Sequence, residues 1–359
     1  MRRISIKNAL PGMISSKAVY DSYGALLLDS KTKLLQDSVD MLTRKGIREL
    51  IIEDSRFGDI PVQTLIAPGL EAQAVQSLVK LLTESQGGTT IGSSLLTQLE
   101  QPVYAMVREL FPIGIGEINA TGFTTPQEFV YVRPVKVAGL SMLVGAIAGY
   151  GMAELASLGL AATLMDCGYV ALPKGLSEKS GSCTDQESRE IFKHPQYGAA
   201  ILNQTGRYND QVIEGILHHH ERWDGSGYPS GLKGAQICLP ARILAIADTF
   251  YELVSDRPGR KAYLPHEAVE YIMAYSGDLF DHSLVQIFAR EVPLYPTGVA
   301  VKLNSGELGI ISDGNRGHIG RPMVRICFDK DQRMLMEPYD INLSEAEYQN
   351  RLIVHIFDY

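Results

Sequence analysis

The sequence predicts a multi-domain, mainly α protein in which a helical bundle is flanked by a small N-terminal α+β module and a small C-terminal β unit. Three observations predict it. Short apolar runs of strand length surround one amphipathic helix near the start. From 126 to about 291, apolar positions recur every three to four residues through segment after segment joined by short loops. Beyond the YPTG turn at 295–298 the apolar period switches to two.

Taken in order, residues 1–60 read as the strands ISIKNAL, GALLLD and ELIIED around the helix LQDSVDMLTRKG. Residues 61–125 carry two helical stretches, TLIAPGLEAQAVQSLVKLLTES and SSLLTQLEQPVYAMVREL, split by GGTTIG; the second opens on serines suited to cap a helix. This segment is expected to be a helical connector that packs against a second copy of itself, making a homodimer. Residues 126–293 hold the bundle, with PVKVAGLSMLVGAIAGYG, MAELASLGLAATLMDCG, ESREIFKHPQYGAAILNQ, NDQVIEGILHHHERW, LPARILAIADTFYELVSDR and PHEAVEYIMAYSG as its helices. Residues 294–359 form the β unit, in which VAVKLNSGELGIIS and RPMVRICFD alternate around Asn-Ser-Gly and Asp-Gly-Asn turns.

At 359 residues the chain builds a core without staples, and its four cysteines (Cys167, Cys183, Cys238, Cys327) form no CxxC pair. A reducing cytoplasm is the expected compartment. The start, MRRISIKNALPGM, lacks the apolar stretch of a signal peptide, and no later run is expected to span a membrane. A formal net charge of −8 gives no general attraction to nucleic acid polymers, so any phosphate must meet a local cluster of cations.

The chemistry concentrates in the bundle. Imidazole and carboxylate together are the ligand set of iron, manganese or zinc, metals that polarise phosphates. Asp166, His194, His219, His220 and Asp248 supply such groups. Adjacent histidines on a helix point about 100° apart, so His219 and His220 reach one ion only near a helix end, and WDGSGYP ends this helix a few residues later. Asp248 lies among Ala, Ile and Leu in ARILAIADTF, where a carboxylate is costly to bury without a cation.

The stretches HHERWDGSGYPSGLKG and ARILAIADTFYELVSDRPGRKA carry HHE, DG, GYP, GLKG, AD and DRP in order. Over residues 126 to 291 this resembles the HD-GYP domain, a branch of the HD phosphohydrolases that cleaves cyclic di-GMP. The resemblance implies metal ligands in chain order: a histidine opening the first helix, a His-Asp doublet, a histidine before proline, paired histidines and an aspartate in the AD segment. His194, His219, His220, Asp248 and, from the doublet, Asp166 match.

Three positions depart. The doublet stretch reads TLMDCGYVALP, so Met165 stands where the histidine would be; the helix-opening histidine aligns with Arg133, and the phosphate-contacting lysine after the doublet is Tyr169. In the implied binuclear arrangement one site keeps Asp166, His194, His219 and His220, whereas the other keeps only Asp166 and Asp248. Arginine has no lone pair to give a metal but pairs with carboxylates, so Arg133 is expected against Asp248 or Asp166, with Met165 filling space. The resemblance thus implies one divalent metal, iron or manganese before zinc, or none, and little or no hydrolysis. It places Arg257, Arg260 and the loop Gly227, Tyr228 and Pro229 against cyclic di-GMP or a related nucleotide, with a protein partner reached through the same loop.

Overall fold

The structure is a computed structural model, and it describes all residues except 63, 114–127, 174–175, 177–183, 257–259, 292–293, 316, 319 and 358–359. Five short elements open the chain: β1 (Arg2–Ser5), β2 (Val19–Tyr20), β3 (Leu26–Leu28), α1 (Gln36–Arg44) and β4 (Glu49–Ile52). β1 pairs antiparallel with β4, and β2 with β3. Alternation along β4 turns Leu50 and Ile52 inward, where they meet Ile4, Leu34, Val39 and Leu42.

Helices follow: α2 (Pro68–Glu84), α3 (Ser93–Ile113), α4 (Arg133–Ile147), α5 (Met152–Leu164), α6 (Asp185–Ile191), α7 (His194–Asn203), α8 (Asp210–His218), α9 (Leu239–Leu253), α10 (Pro265–Ala274) and α11 (His282–Glu291). α2 begins at Pro68 instead of Thr64, because proline suits the first helical turn, where its missing N–H is not needed. The stretch ESREIFKHPQYGAAILNQ divides into α6 and α7 at Phe192 and Lys193, since Pro195 cannot continue the α6 ladder. One hydrophobic core joins these helices; Leu78, Leu96 and Val103 of α2 and α3 belong to the same cluster as Leu140, Leu158, Ile216 and Phe250.

The C-terminal residues form a five-stranded antiparallel sheet of β5 (Ala300–Leu303), β6 (Leu308–Asp313), β7 (Met323–Phe328), β8 (Met334–Asn342) and β9 (Ile353–Phe357), in the order β8-β7-β6-β5-β9. The chain is therefore mainly helical with a small antiparallel sheet at its end. β8, β9 and α11 are elements that the sequence pattern did not single out. The N-terminal strands dock on this sheet: Arg3 N donates to Gly298 O at 3.1 Å and Arg3 Nε to Thr297 O at 3.3 Å. Arg325 pairs with Asp59 at 2.7 Å and with Asp340 at 2.8 Å.

The helical segment Glu128–Ile147 is long and apolar enough, by length and composition alone, to cross a membrane. Its apolarity has another use here, because 67% of that window is buried inside the protein. α4 packs between α5 and α9, so both of its faces need apolar side chains.

Phe250 is fully buried and meets Tyr251 and Phe288 edge-on at 5.3 and 5.5 Å. Phe250→Ala is expected to lower unfolding free energy by about 3–5 kcal/mol, read as a shift of the urea midpoint.

Candidate metal centre

Two helix ends present the histidines. Pro195 has no N–H, so the carbonyl of Ile191, four residues back, lacks its usual helical donor. His194 uses that carbonyl: its Nδ1–H donates to Ile191 O at 2.8 Å. α8 stops at His218, with His219 as its cap, and Ile216 lies in the last turn, where carbonyls have no helical partner. His219 Nδ1–H donates to Ile216 O at 2.7 Å. Both hydrogen bonds assign the same tautomer, with Nε2 left as a lone pair. The helix end also turns His220 toward its neighbours, with 4.1 Å between its ring and that of His219.

Asp166 follows α5 and reaches the same point because Gly168 lets the chain lie directly on α7. A Cβ at Gly168 would stand 1.9 Å from His194 O and 2.6 Å from Gly198 N, so only glycine permits this crossing. Asp166 Oδ1 is buried, has no hydrogen-bond donor and lies 3.3 Å from His194 Nε2.

The donor set asks for a cation. His194 Nε2 faces His219 Nε2 at 3.4 Å, and the ligating atoms of His194, His219 and His220 lie within 4.8 Å of one another. Lone pairs converging this way repel unless a positive charge sits among them. Ligands about 2.1 Å from one ion stand about 3.0–3.4 Å apart, the spacing of His194 Nε2 and His219 Nε2. Burial, helped by His194, pushes His219 down to about 3. Burial also drives His220 well below its ordinary value. Neutral imidazoles are the form that ligates a metal. His194, His219 and His220 can therefore hold one divalent ion, with Asp166 Oδ1 beside them.

Arg133, the first residue of α4, fills the other half of the site. Its Nη1 donates to Asp248 Oδ1 at 2.5 Å and its Nη2 to Asp166 Oδ2, with all three side chains buried. The Phe129 ring covers the guanidinium at 4.0 Å. Burial alone would raise the Asp166 carboxyl, but Arg133 and His194 overcome it and hold the group below the usual carboxylate range. Asp248 goes the other way, to about 6, because burial and the nearby charge of Asp166 outweigh Arg133. Met165 is fully buried in the main core. Tyr169 stacks on His194 with 4.5 Å between ring centres, an aromatic face against the imidazole.

The loop after α8 closes over the histidines. Tyr228 stacks on His220 at 4.7 Å, and Phe192 packs on Tyr228 at 4.7 Å. Gly227 is required by contact, since a Cβ there would lie 2.4 Å from Arg222 N and 2.5 Å from His220 O. Glu221, which sequence reasoning did not single out, anchors the loop past Pro229: its buried carboxylate accepts from Ser230 N at 2.7 Å and Leu232 N at 3.1 Å. Its place in HHE was the available signal. Arg260 donates to Glu252 O at 2.5 Å and lies over the Tyr263 ring, so its hydrogen bonding serves the end of α9. Arg257 lies outside the described residues.

A family model described as an HD domain matches residues 126–284, which defines the bundle as that of an HD-domain protein. Relatives narrow this further. A Pseudomonas aeruginosa protein named cyclic di-GMP phosphodiesterase PA4108 is 26% identical over 92% of this chain and 84% of its own length. The Xanthomonas campestris protein named cyclic di-GMP phosphodiesterase response regulator RpfG is 39% identical over 44% of this chain and 41% of its own. A Thermotoga maritima protein named cyclic di-GMP phosphodiesterase is 36% identical over 39% of each. The chain thus spans most of the first relative and less than half of the other two. A solved structure titled Bd1817, a HDG"Y"P protein from Bdellovibrio bacteriovorus, covers 80% of this chain and 97% of its own at 15% identity and a TM-score of 0.49. The chain belongs to the HD-GYP family.

Two outcomes check this geometry. Arg133→Met leaves two buried carboxylates unpaired and should cost about 3–5 kcal/mol in urea unfolding without added metal. Glu221→Ala strips the acceptor from two loop N–H groups and should cost about 1–3 kcal/mol, with faster amide exchange at Ser230 and Leu232.

Proposed function

We propose that the protein binds cyclic di-GMP or a related cyclic nucleotide over a single-metal site and hydrolyses it slowly or not at all, acting as an effector or interaction module in second-messenger signalling. One observation carries the reading: the Arg133 fork lies between Asp166 and Asp248, the two carboxylates that remain from the family's other metal position. A guanidinium stays protonated and has no lone pair for an ion. It brings one fixed positive charge to that half of the site.

A divalent ion held by His194, His219, His220 and Asp166 would supply Lewis acidity toward a phosphate oxygen. The rest falls to the chain's own residues. Arg133 offsets part of the charge of the two carboxylates and so lowers their repulsion of an incoming phosphodiester. Tyr169 and Tyr228 flank the histidines with apolar faces and exclude water from them. With Tyr169 in place of a lysine and a second ion displaced, stabilisation of developing charge falls; each such loss is worth about 10²–10³ in rate. Binding survives better, because the loop of Gly227, Tyr228 and Pro229 and the cations Arg257 and Arg260 do not depend on the missing imidazoles.

The same reading assigns the segments roles: a sensing module at 1–60, a dimerising helical connector at 61–125, the HD-GYP domain at 126–293 and an accessory sheet at 294–359. The retained histidine triad supports a second reading, a slow one-metal phosphodiesterase. An inert scaffold would bind neither metal nor nucleotide.

Metal analysis, calorimetry with cyclic di-GMP and a hydrolysis assay with added Mn²⁺ or Fe²⁺ separate these readings. The expected result is one metal per chain, lost in His219→Ala, together with nucleotide binding and turnover at least about 10²-fold below an intact family member. Turnover equal to that of an intact member would refute the effector reading. Arg133→His combined with Met165→His should raise metal content toward two per chain and increase turnover, and neither change alone should suffice.

A further inference from the structure

We infer that Arg222 is the residue that grips the phosphodiester of the bound nucleotide, a role that rests on the nucleotide-binding reading above. Among the described residues, five arginines have a buried nitrogen without a hydrogen-bond partner: Arg2, Arg3, Arg133, Arg222 and Arg242. Four of them pair with a carboxylate, Arg2 through the same Nε and the other three through another nitrogen. Arg2 pairs with Asp54, Arg3 with Glu49, Arg133 with Asp166 and Asp248, and Arg242 with Asp281. Arg222 pairs with none of the described carboxylates, and its Nη1 is the buried, unpartnered atom.

Its position matters as much as its lack of a partner. Arg222 comes two residues after His220, and its backbone is pinned against Gly227 in the loop that closes the site. The guanidinium lies over the Phe280 ring, 5.5 Å from its centre, which fixes the side chain without satisfying its N–H groups. Its charge reaches His220, Asp248 and Tyr228, which places it beside the metal centre and not out on the surface.

The other nearby cations are committed. Among the described residues, Arg133 spends both Nη atoms on two carboxylates, and Arg260 donates from Nη2 to a backbone carbonyl. Arginine's planar fork matches a phosphodiester's two free oxygens, and a buried N–H that lacks an acceptor in the free protein gains one when the anion arrives. Arg222 therefore supplies, from the loop side, the phosphate contact that Tyr169 does not make.

The test compares the metal-loaded protein with Arg222→Gln, Arg222→Lys and Arg222→Met, the last keeping the apolar stem over Phe280. Three readouts are taken: bound metal, calorimetric affinity for cyclic di-GMP, and the rise in melting temperature with inorganic phosphate. The expected result is unchanged metal content, about ten- to a hundredfold weaker nucleotide binding by Arg222→Gln and Arg222→Met, loss of phosphate protection, and partial rescue by Arg222→Lys. Wild-type affinity and phosphate protection in Arg222→Met would overturn the inference. So would a loss of binding that tracks a loss of metal. If the wild-type protein ignores cyclic di-GMP, the functional reading fails; phosphate protection that depends on Arg222 then still supports the inference, and protection absent in the wild type or independent of Arg222 overturns it.

Discussion

Two carboxylates share one guanidinium at the centre of the bundle, where three packed helices must bring these charges together. Arg133 opens α4, Asp166 follows α5 and Asp248 lies within α9, with all three side chains buried. A lone ionised carboxylate in such a core costs several kcal/mol, and two near each other cost more. The site tolerates them because Arg133 donates to both. The fork ties the start of α4 to the end of α5 and the middle of α9.

The histidine half obeys a different rule. Backbone carbonyls left without helical donors, at Ile191 because of Pro195 and at Ile216 because α8 ends, orient His194 and His219 through Nδ1. That orientation leaves their Nε2 atoms facing each other and Asp166. Such outer hydrogen bonds fix tautomer and ring direction in metal sites. One half of the site thus presents neutral nitrogen donors suited to an ion, while the other holds the Arg133 guanidinium between two carboxylates.

The loop and the N-terminal module connect to this centre through a few contacts. Glu221 ties the loop to the helix end by two backbone hydrogen bonds, and Tyr228 rests on His220. Arg48, just before β4, pairs with Asp256, which also accepts from Ala262 N at 3.0 Å. The module therefore touches the segment that carries Arg260, at the end of the helix that carries Asp248.

Much of this was legible in the sequence. Helical periodicity located α4, α5 and α9, the switch to period two located β5 to β7, and the spacing of HHE, DG and GYP marked the family and the histidines that come together. Arg133 and Met165 at their positions were enough to expect a guanidinium against a carboxylate. The rest depended on distance between residues far apart in the chain. That Arg133 engages both Asp166 and Asp248, 33 and 115 residues away, is set by how α4, α5 and α9 pack. The break between α6 and α7 was signalled by Pro195, but its use in freeing a carbonyl for His194 appears only once the ring and the carbonyl are placed. Glu221 and Arg222 read as an ordinary charged pair in sequence, because a motif records residue types and not which of them find a partner. The amino-acid order by itself determined most of the bundle helices, the family and the set of candidate ligands. Tertiary packing alone decided which charges cancel and which stay open, because Coulomb and hydrogen-bond energies depend on separation and burial, and neither is a local property of the chain.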